Sequence, residues 1–423
     1  MTQREAALAG KITPAMESAA AKEGVNAEFL RDSLARGTMA LPANIGHHNL
    51  DPIAIGTGVR VKINANIGTS PHDVNLEKEK AKLAAALRYG AHTVMDLSTG
   101  GDLNAIRREL LACCPAPFGT VPIYQVMAEA KKLDDVRADD ILAAVELHAR
   151  QGVDFVTVHC GVTRQALKLL NRRVTGVVSR GGSFLVAWMR RFQQENPLYE
   201  RFDELLHIAR TYDVTLSLGD GLRPGCLADA GDKAQFQELK ILGELTQRAW
   251  AAGVQVIIEG PGHVPFHQIK KNIRLQQKYC HGAPFYVLGP LVTDVAAGYD
   301  HIAGAIGGTL AASLGAAFLC YVTPAEHLKL PEVQDVIDGV IASRIAAHAA
   351  DIARGLPGAA AWDLQMSQAR RALDWETQIA LAMNPDKAKL YREMSQAQAD
   401  QCTMCGRFCA MKVFDDRFDE ESS

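Results

Sequence analysis

Between Val61 and Pro324 the chain repeats one pattern: a short β-branched apolar run ends in small or polar residues, and a helical stretch follows. The runs are VKINANIG from Val61, TVMDLSTG from Thr93, TVPIYQ from Thr120, FVTVHCG from Phe155 and VTGVVSRGG from Val174. They continue with VTLSLGDG from Val214, VQVIIEGPG from Val254, PFYVLGP from Pro284 and GAAFLCYVTP from Gly315. A spacing of roughly 20–40 residues is what a parallel strand–helix unit requires. The stretches between them, such as NLEKEKAKLAAALRYG from Asn75 and QFQELKILGELTQRAWAAG from Gln235, read as helices that end at glycine. Nine strand candidates are one too many for an eight-stranded barrel, so one is expected outside it. A doubly wound open sheet would gather its ligands at one switch point, whereas here polar residues follow nearly every run. The pattern therefore predicts an α/β fold built on a (β/α)8 TIM-type barrel with its active site at the carboxyl ends of the strands.

The flanks differ. Residues 1–60 are mixed and punctuated by Gly and Pro, which predicts an N-terminal lobe; the catalytic barrel is expected over 61–330. Residues 331–423 are expected to hold helices and a cysteine tail. VQDVIDGVIASRIAAHAADIARG from Val333 and LQMSQARRALDWETQIALAM from Leu364 read as helices, and the acidic DDRFDEESS from Asp415 as disordered. Among 423 residues, 48% are hydrophobic, enough for a large core, and no apolar run is long enough to span a bilayer. The start of the chain lacks the layout of a signal peptide, so a cytoplasmic enzyme is expected. A net charge of −3 gives no general case for binding nucleic acid or an anionic membrane.

Six of nine cysteines are scattered, and the remainder, Cys402, Cys405 and Cys409, form a C-x2-C-x3-C triplet. Three thiolates so placed can converge on one metal centre, and on a four-iron cluster they leave one iron open. The spacing alone also fits a loose tail of reduced thiols, or a zinc knuckle completed by a partner. His263 and His267 have helical i, i+4 spacing, but Pro265 between them opposes a helix. His263 is expected at the barrel rim instead, as is His327 after a capping box of Thr323 and Glu326 with Pro324 at the first helical position. Two rim histidines can share a divalent metal. The turns SRGGS from Ser179 and DGLRPG from Asp220 set Arg180 and Arg223 among glycines, which suits a phosphate. With His159 and Glu259 on other strands, they favour a small phosphorylated substrate; Asp220, Glu259 and His159 are the acid–base candidates. Asn64, Asn66, Asp96, Tyr124 and Tyr286 add polar groups at strand ends, and Met95 reads as core.

At this point the chain resembles the phosphomethylpyrimidine synthase family of radical S-adenosylmethionine enzymes. The likeness runs from near residue 40 through 412, on KINANIG, VMDLSTGG, GTVPIYQ, TVHCGV, VSRGGS, LSLGDGLRPG, EGPGHVP, APFYVLGPL, GYDHI, CYVTPAEHL and CTMCGRFCAMK. The resemblance implies a radical carbon–carbon lyase acting on 5-aminoimidazole ribonucleotide. It would carry a [4Fe–4S] cluster on Cys402, Cys405 and Cys409, S-adenosylmethionine, and a divalent metal (zinc or iron) on His263 and His327. It implies substrate contacts from Asn66, Met95, Tyr124, His159, Ser179, Arg180, Gly181, Asp220, Gly221, Leu222, Arg223, Glu259 and Tyr286. A homodimer with the cysteine tail over a partner's active site is implied as well, with an electron donor such as flavodoxin or ferredoxin.

The family holds two activities on this substrate: formation of the thiamine pyrimidine phosphate, and formation of 5-hydroxybenzimidazole for anaerobic cobamides. Several positions depart from the thiamine pattern: His92 and Ala317 (usually acidic), Ala297 (usually proline), Val126, and the segment LPANIGHHNL from Leu41. The last cysteine spacing is also one residue shorter than in longer relatives. These departures favour 5-hydroxybenzimidazole as the expected product, with the thiamine pyrimidine as the alternative. A metal-dependent hydrolase would use the histidines and not the thiols, and a non-catalytic iron–sulfur regulator the thiols alone.

Overall fold

A computed structural model describes residues 1–170, 172–395 and 403–414; Cys402 and the acidic tail 415–423 lie outside the described residues. The chain divides into two compact units, Met1–Ala353 and Arg354–Ser423.

In the first unit, helices Gln3–Leu8, Pro14–Glu23 and Ala27–Arg36 precede a short antiparallel pair, β1 (Met39–Ala40) and β2 (Ile55–Gly56). Among the described residues, eight parallel strands then close a barrel. They are β3 (Lys62–Ile67), β4 (Thr93–Asp96), β5 (Phe118–Thr120), β6 (Phe155–Val158), β7 (Thr215–Leu218), β8 (Val256–Gly260), β9 (Phe285–Leu288) and β10 (Phe318–Cys320). Closure comes from β10, which pairs with both β3 and β9. All eight are almost wholly buried, as a barrel packed inside and out by side chains requires.

The ninth strand candidate is the one outside. The amides of Val174 and Thr175 donate to the Asp229 carboxylate at 2.8 and 3.0 Å, and Ser179 caps the helix Arg180–Phe192 through the Gly182 amide. Backbone donors taken by a side chain cannot join a ladder, whatever the β-branched composition. Three other local expectations shift. β5 ends at Thr120, and Pro122 opens the helix Pro122–Glu129, so Tyr124 stands on a helical turn. Residues 324–328 form a turn and not a helix, because His327 is left-handed at φ 61° and stops propagation. The stretch from Leu364 is two helices, Ala359–Ala372 and Trp375–Leu381, parted at Leu373 (φ 55°), with Asp374 capping the second.

The N-terminal lobe seals the amino ends of the strands. Asn44 donates its amide to Asp154, just before β6, and Leu41 to Gln255, just before β8. His47 Nδ1 lies 2.6 Å from the Asp154 carboxylate. Thr2 Oγ1 donates to the Gly253 carbonyl at 2.6 Å. The carboxyl ends are left open for chemistry. The helix Val333–Ala353 packs on Asp300–Ser313 within this unit. No helix among the described residues is long and apolar enough to cross a membrane.

Candidate active site

Each barrel strand, or the segment directly after it, contributes a side chain to one pocket at the carboxyl end. Asn66 comes from β3, Met95 from β4, Tyr124 from the helix after β5, His159 from just beyond β6, and Asp220 and Arg223 from the turn after β7. Glu259 comes from β8, Tyr286 from β9 and Cys320 from β10; together they line one cavity that opens at the carboxyl end. Phe318 stacks on Tyr286 (ring centroids 4.2 Å) and meets Phe155 edge-on. A wider mouth shares Asn66, Tyr124 and Arg223, and adds Arg180, His263, Glu326 and His327. The arrangement brings eight of the thirteen expected contact residues into the inner pocket and Arg180 into the mouth.

The other four support the wall. Ser179 is the buried cap just described, and Leu222 is fully buried behind the turn. Gly181 lies against His159: a Cβ there would be 2.5 Å from the imidazole Cε1. Gly182 abuts Gly221, where a Cβ would sit 2.3 Å from the Gly221 carbonyl oxygen. The start of the helix Arg180–Phe192 is thus pressed against the turn after β7, and Arg180 and Arg223 line the same mouth. Arg180 lies 4.8 Å above the Tyr124 ring, a cation–π contact that orients both.

Burial sets the protonation of the interior. The His159 pKa is pushed down to about 3 by burial, with the Arg223 guanidinium adding to it, so the ring is a neutral hydrogen-bonding group. Its Nδ1 is buried with no partner among the described residues. Asp220 is pushed up to about 7 by burial, against the pull of Arg223, whose Nη1 donates to its Oδ1 at 3.2 Å. Its other oxygen is buried and unpartnered. Glu259 is also raised by burial, and its Oε1 accepts from Thr157 Oγ1 at 2.7 Å and Ser217 Oγ at 2.8 Å. Two carboxyls whose pKa values burial raises, beside a neutral imidazole, form a set able to give and take protons.

His263 and His327 come together, with ring centroids 5.3 Å apart. The Nδ1 atoms face carboxylates: His263 at 2.8 Å from Asp294, His327 at 3.8 Å from Asp300. A carboxylate behind each imidazole is the usual support for a metal-binding histidine and leaves Nε2 as the donor. No group of three or more His, Cys, Asp or Glu among the described residues is arranged for a metal, so two imidazoles would need water or ligand to complete a shell. In the second unit, Cys405 is exposed and Cys409 half-buried, on either side of the short turn Gly406–Phe408, where Gly406 has φ 52°. Thiolates are the soft donors that an iron–sulfur cluster takes. Residue-type reasoning passed over Thr157, Ser217 and Cys320. Thr157, on β6, lies two positions before His159 just past the strand's end, and alternation carried on from β6 was the available signal.

A closed parallel barrel with a polar, proton-handling pocket at its carboxyl end is an enzyme architecture. The chain belongs to the radical SAM ThiC family, whose profile matches residues 2–416. Membership makes it a radical S-adenosylmethionine enzyme and implies that cofactor and a [4Fe–4S] cluster. It is 58% identical over 420 residues to the phosphomethylpyrimidine synthase of Moorella thermoacetica, covering 98% of this chain and 97% of that one. It is 57% identical over 428 residues to the phosphomethylpyrimidine synthase of Geobacter metallireducens, covering 99% and 98%. Among solved structures, a dihydropteroate synthase from Coxiella burnetii aligns at 14% identity with a TM-score of 0.41, covering 69% of this chain and 94% of that one.

Proposed function

We propose that the chain is a phosphomethylpyrimidine synthase, converting 5-aminoimidazole ribonucleotide to 4-amino-5-hydroxymethyl-2-methylpyrimidine phosphate for thiamine biosynthesis. The observation that carries this reading is the 58% identity, over nearly the whole chain, to a relative of that name. Of the departures that favoured 5-hydroxybenzimidazole, His92, Val126, Ala297 and Ala317 do not line the pocket or its mouth. His92, whose Nδ1 accepts the Ile63 amide, and Ala317, whose carbonyl accepts the Lys62 amide, stand at the amino ends of β4 and β10. The segment from Leu41 covers the amino ends of β6 and β8. Val126 is buried in a helix, and Ala297 is exposed after β9. The amino face of such a barrel serves stability and the carboxyl face chemistry, so the changes at His92, Ala317 and the segment from Leu41 give no reason to assign a different product.

In this reading Arg180, Ser179, Gly181 and the first amides of the helix bind the phosphate, assisted by Arg223 on the turn Asp220–Gly221–Leu222–Arg223. Asn66, Tyr124, Tyr286 and the neutral His159 orient the imidazole and ribose, and Met95 packs against them. Glu259, held by its two hydroxyls, and Asp220 hold and release protons at the ring and sugar. Cys402, Cys405 and Cys409 would hold the cluster, which with S-adenosylmethionine supplies a carbon-centred radical oxidant. His263 and His327 would hold a zinc or iron ion, a Lewis acid near the pocket mouth. A homodimer and a small electron donor, flavodoxin or ferredoxin, complete the reading.

The test is anaerobic reconstitution with iron and sulfide, reduction, and mass spectrometry of the products formed from S-adenosylmethionine and 5-aminoimidazole ribonucleotide. The pyrimidine phosphate is expected, and 5-hydroxybenzimidazole would move the chain to the other branch. Turnover that survives Cys405→Ala would remove the radical mechanism altogether. Elemental analysis of His263→Ala and His327→Ala proteins checks the divalent site, since each should lose the ion without loss of cluster iron.

A further inference from the structure

The turn Asp220–Arg223 carries two pocket side chains, yet most of what holds its backbone comes from two side chains outside the pocket. Arg173, whose side chain is 2% exposed, donates from Nη2 to the Leu222 carbonyl at 2.6 Å and from Nη1 to the Arg223 carbonyl at 3.2 Å. Its Nε and Nη2 also bind the two oxygens of Asp232 at 2.7 and 2.9 Å. Glu238, on the helix Lys233–Ala251, accepts the Leu222 amide on Oε2 at 2.8 Å. Both polar groups of Leu222 and the carbonyl of Arg223 are therefore tied to side chains.

We infer that Arg173 and Glu238 are positioning residues for the substrate, acting through this turn to fix where the Arg223 guanidinium and the Asp220 carboxyl meet it. The inference rests on the pocket reading above. Three observations favour positioning over plain stability. The Arg173–Asp232 ion pair, buried on the arginine side and part-exposed on the aspartate side, adds little net stability, because desolvation of the guanidinium offsets its attraction. The planar fork of arginine meets two successive carbonyls at once, a geometry that lysine lacks. Glu238 is buried with Oε1 unpartnered, 3.4 Å from where a Cβ on Gly221 would lie. An unsatisfied carboxyl oxygen is a cost that stability alone would remove by an apolar substitution. Gly182, packed on the Gly221 carbonyl, leaves the turn little room to shift.

The experiment measures equilibrium binding of 5-aminoimidazole ribonucleotide to the full-length reconstituted protein, alongside hydrogen exchange over residues 220–226. Arg173→Met is expected to raise Kd by about tenfold or more, with Arg173→Lys recovering only part of the loss. Glu238→Gln keeps an acceptor for the Leu222 amide and should bind within about twofold of wild type, whereas Glu238→Leu should weaken binding as Arg173→Met does. Combined with Arg223→Met, the Arg173→Met change should add less than about threefold, since both act through one guanidinium. Additive losses, or an unchanged Kd in Arg173→Met, overturn the inference. Should Arg173→Met fail to fold, Arg173→Lys and Glu238→Leu carry the same cycle. If wild type does not bind the ribonucleotide, the substrate reading fails by itself and exchange decides the clamp. Faster exchange at Leu222 in Arg173→Lys and Glu238→Leu supports it, and unchanged exchange overturns it.

Discussion

Asp220 couples the chemistry of the pocket to the stability of the barrel. With Oδ2 buried and unpartnered, its pKa is pushed up to about 7, above the ordinary 3.8. Below pH 3.8 folded and unfolded chains both hold the proton, and nothing is lost. As the pH rises to about 7 the unfolded chain ionises while the folded one does not, so stability falls across that window and stays lower above it. Asp220→Asn should therefore raise the melting temperature by a few degrees at pH 8 and by much less at pH 4, while abolishing turnover. Equal shifts at both pH values, read by thermal denaturation, would show that burial of this charge is not the cause. Thr157 makes a second test. Its hydroxyl and that of Ser217 orient Glu259 through one oxygen, so Thr157→Val should lower kcat about tenfold with little change in KM. A change confined to KM would instead make Thr157 a binding group. At this scale the charged pocket residues were legible, because Asp220, Arg223, His159 and Glu259 interrupt apolar runs. Their supports were not, because a threonine on a strand is unremarkable until a carboxylate is found opposite.

Elements were legible from periodicity wherever the backbone satisfies itself, and misread where a side chain took over. Seven β-branched runs hold barrel strands, and TVPIYQ meets β5 only at Thr120, where Pro122 turns the chain into a helix. Val174–Val178 forms no strand, because Asp229 binds the Val174 and Thr175 amides from a distant part of the chain that no local window contains. That same segment carries Ser179–Gly182 to the pocket wall, so its failure as a strand is what makes it useful. The contact between Gly182 and Gly221 turns this into a prediction. Helix propensity alone would make Gly182→Ala stabilising by up to about 1 kcal/mol. The added Cβ, however, would stand 2.3 Å from the Gly221 carbonyl oxygen, and backbone cannot move aside as a flexible side chain can. Overpacking of this kind costs about 1–3 kcal/mol, so a lower denaturant midpoint is expected, with weaker ribonucleotide binding. A protein of equal or greater stability would mean that the helix start can retreat from the turn.

For the whole molecule, the family was legible in its motifs, whereas the product branch was not. Departures counted along a sequence carry no record of which end of the barrel they occupy, and most of these sit at the sealed amino end. The quaternary reading depends on another large-scale property, the outer face of the helices Asp300–Ser313 and Val333–Ala353. Both are rich in apolar residues, and Ile302, Ile306, Ile345 and Ile352 are exposed on them. A helix apolar on most sides needs cover on most sides, and in a homodimer a second copy supplies it through the same patch on both chains. Ile306→Glu should then convert the dimer to a folded monomer in sedimentation velocity, with an unchanged circular dichroism spectrum. If the tail of one copy completes the pocket of the other, Cys405→Ala and Arg223→Ala proteins, each inactive alone, should recover part of the activity when they form mixed dimers. Placing Ile306→Glu in both should abolish that recovery. Recovery that persists in sedimentation-verified monomers would place tail and pocket in one chain, and a monomeric wild type would remove the homodimer from the reading.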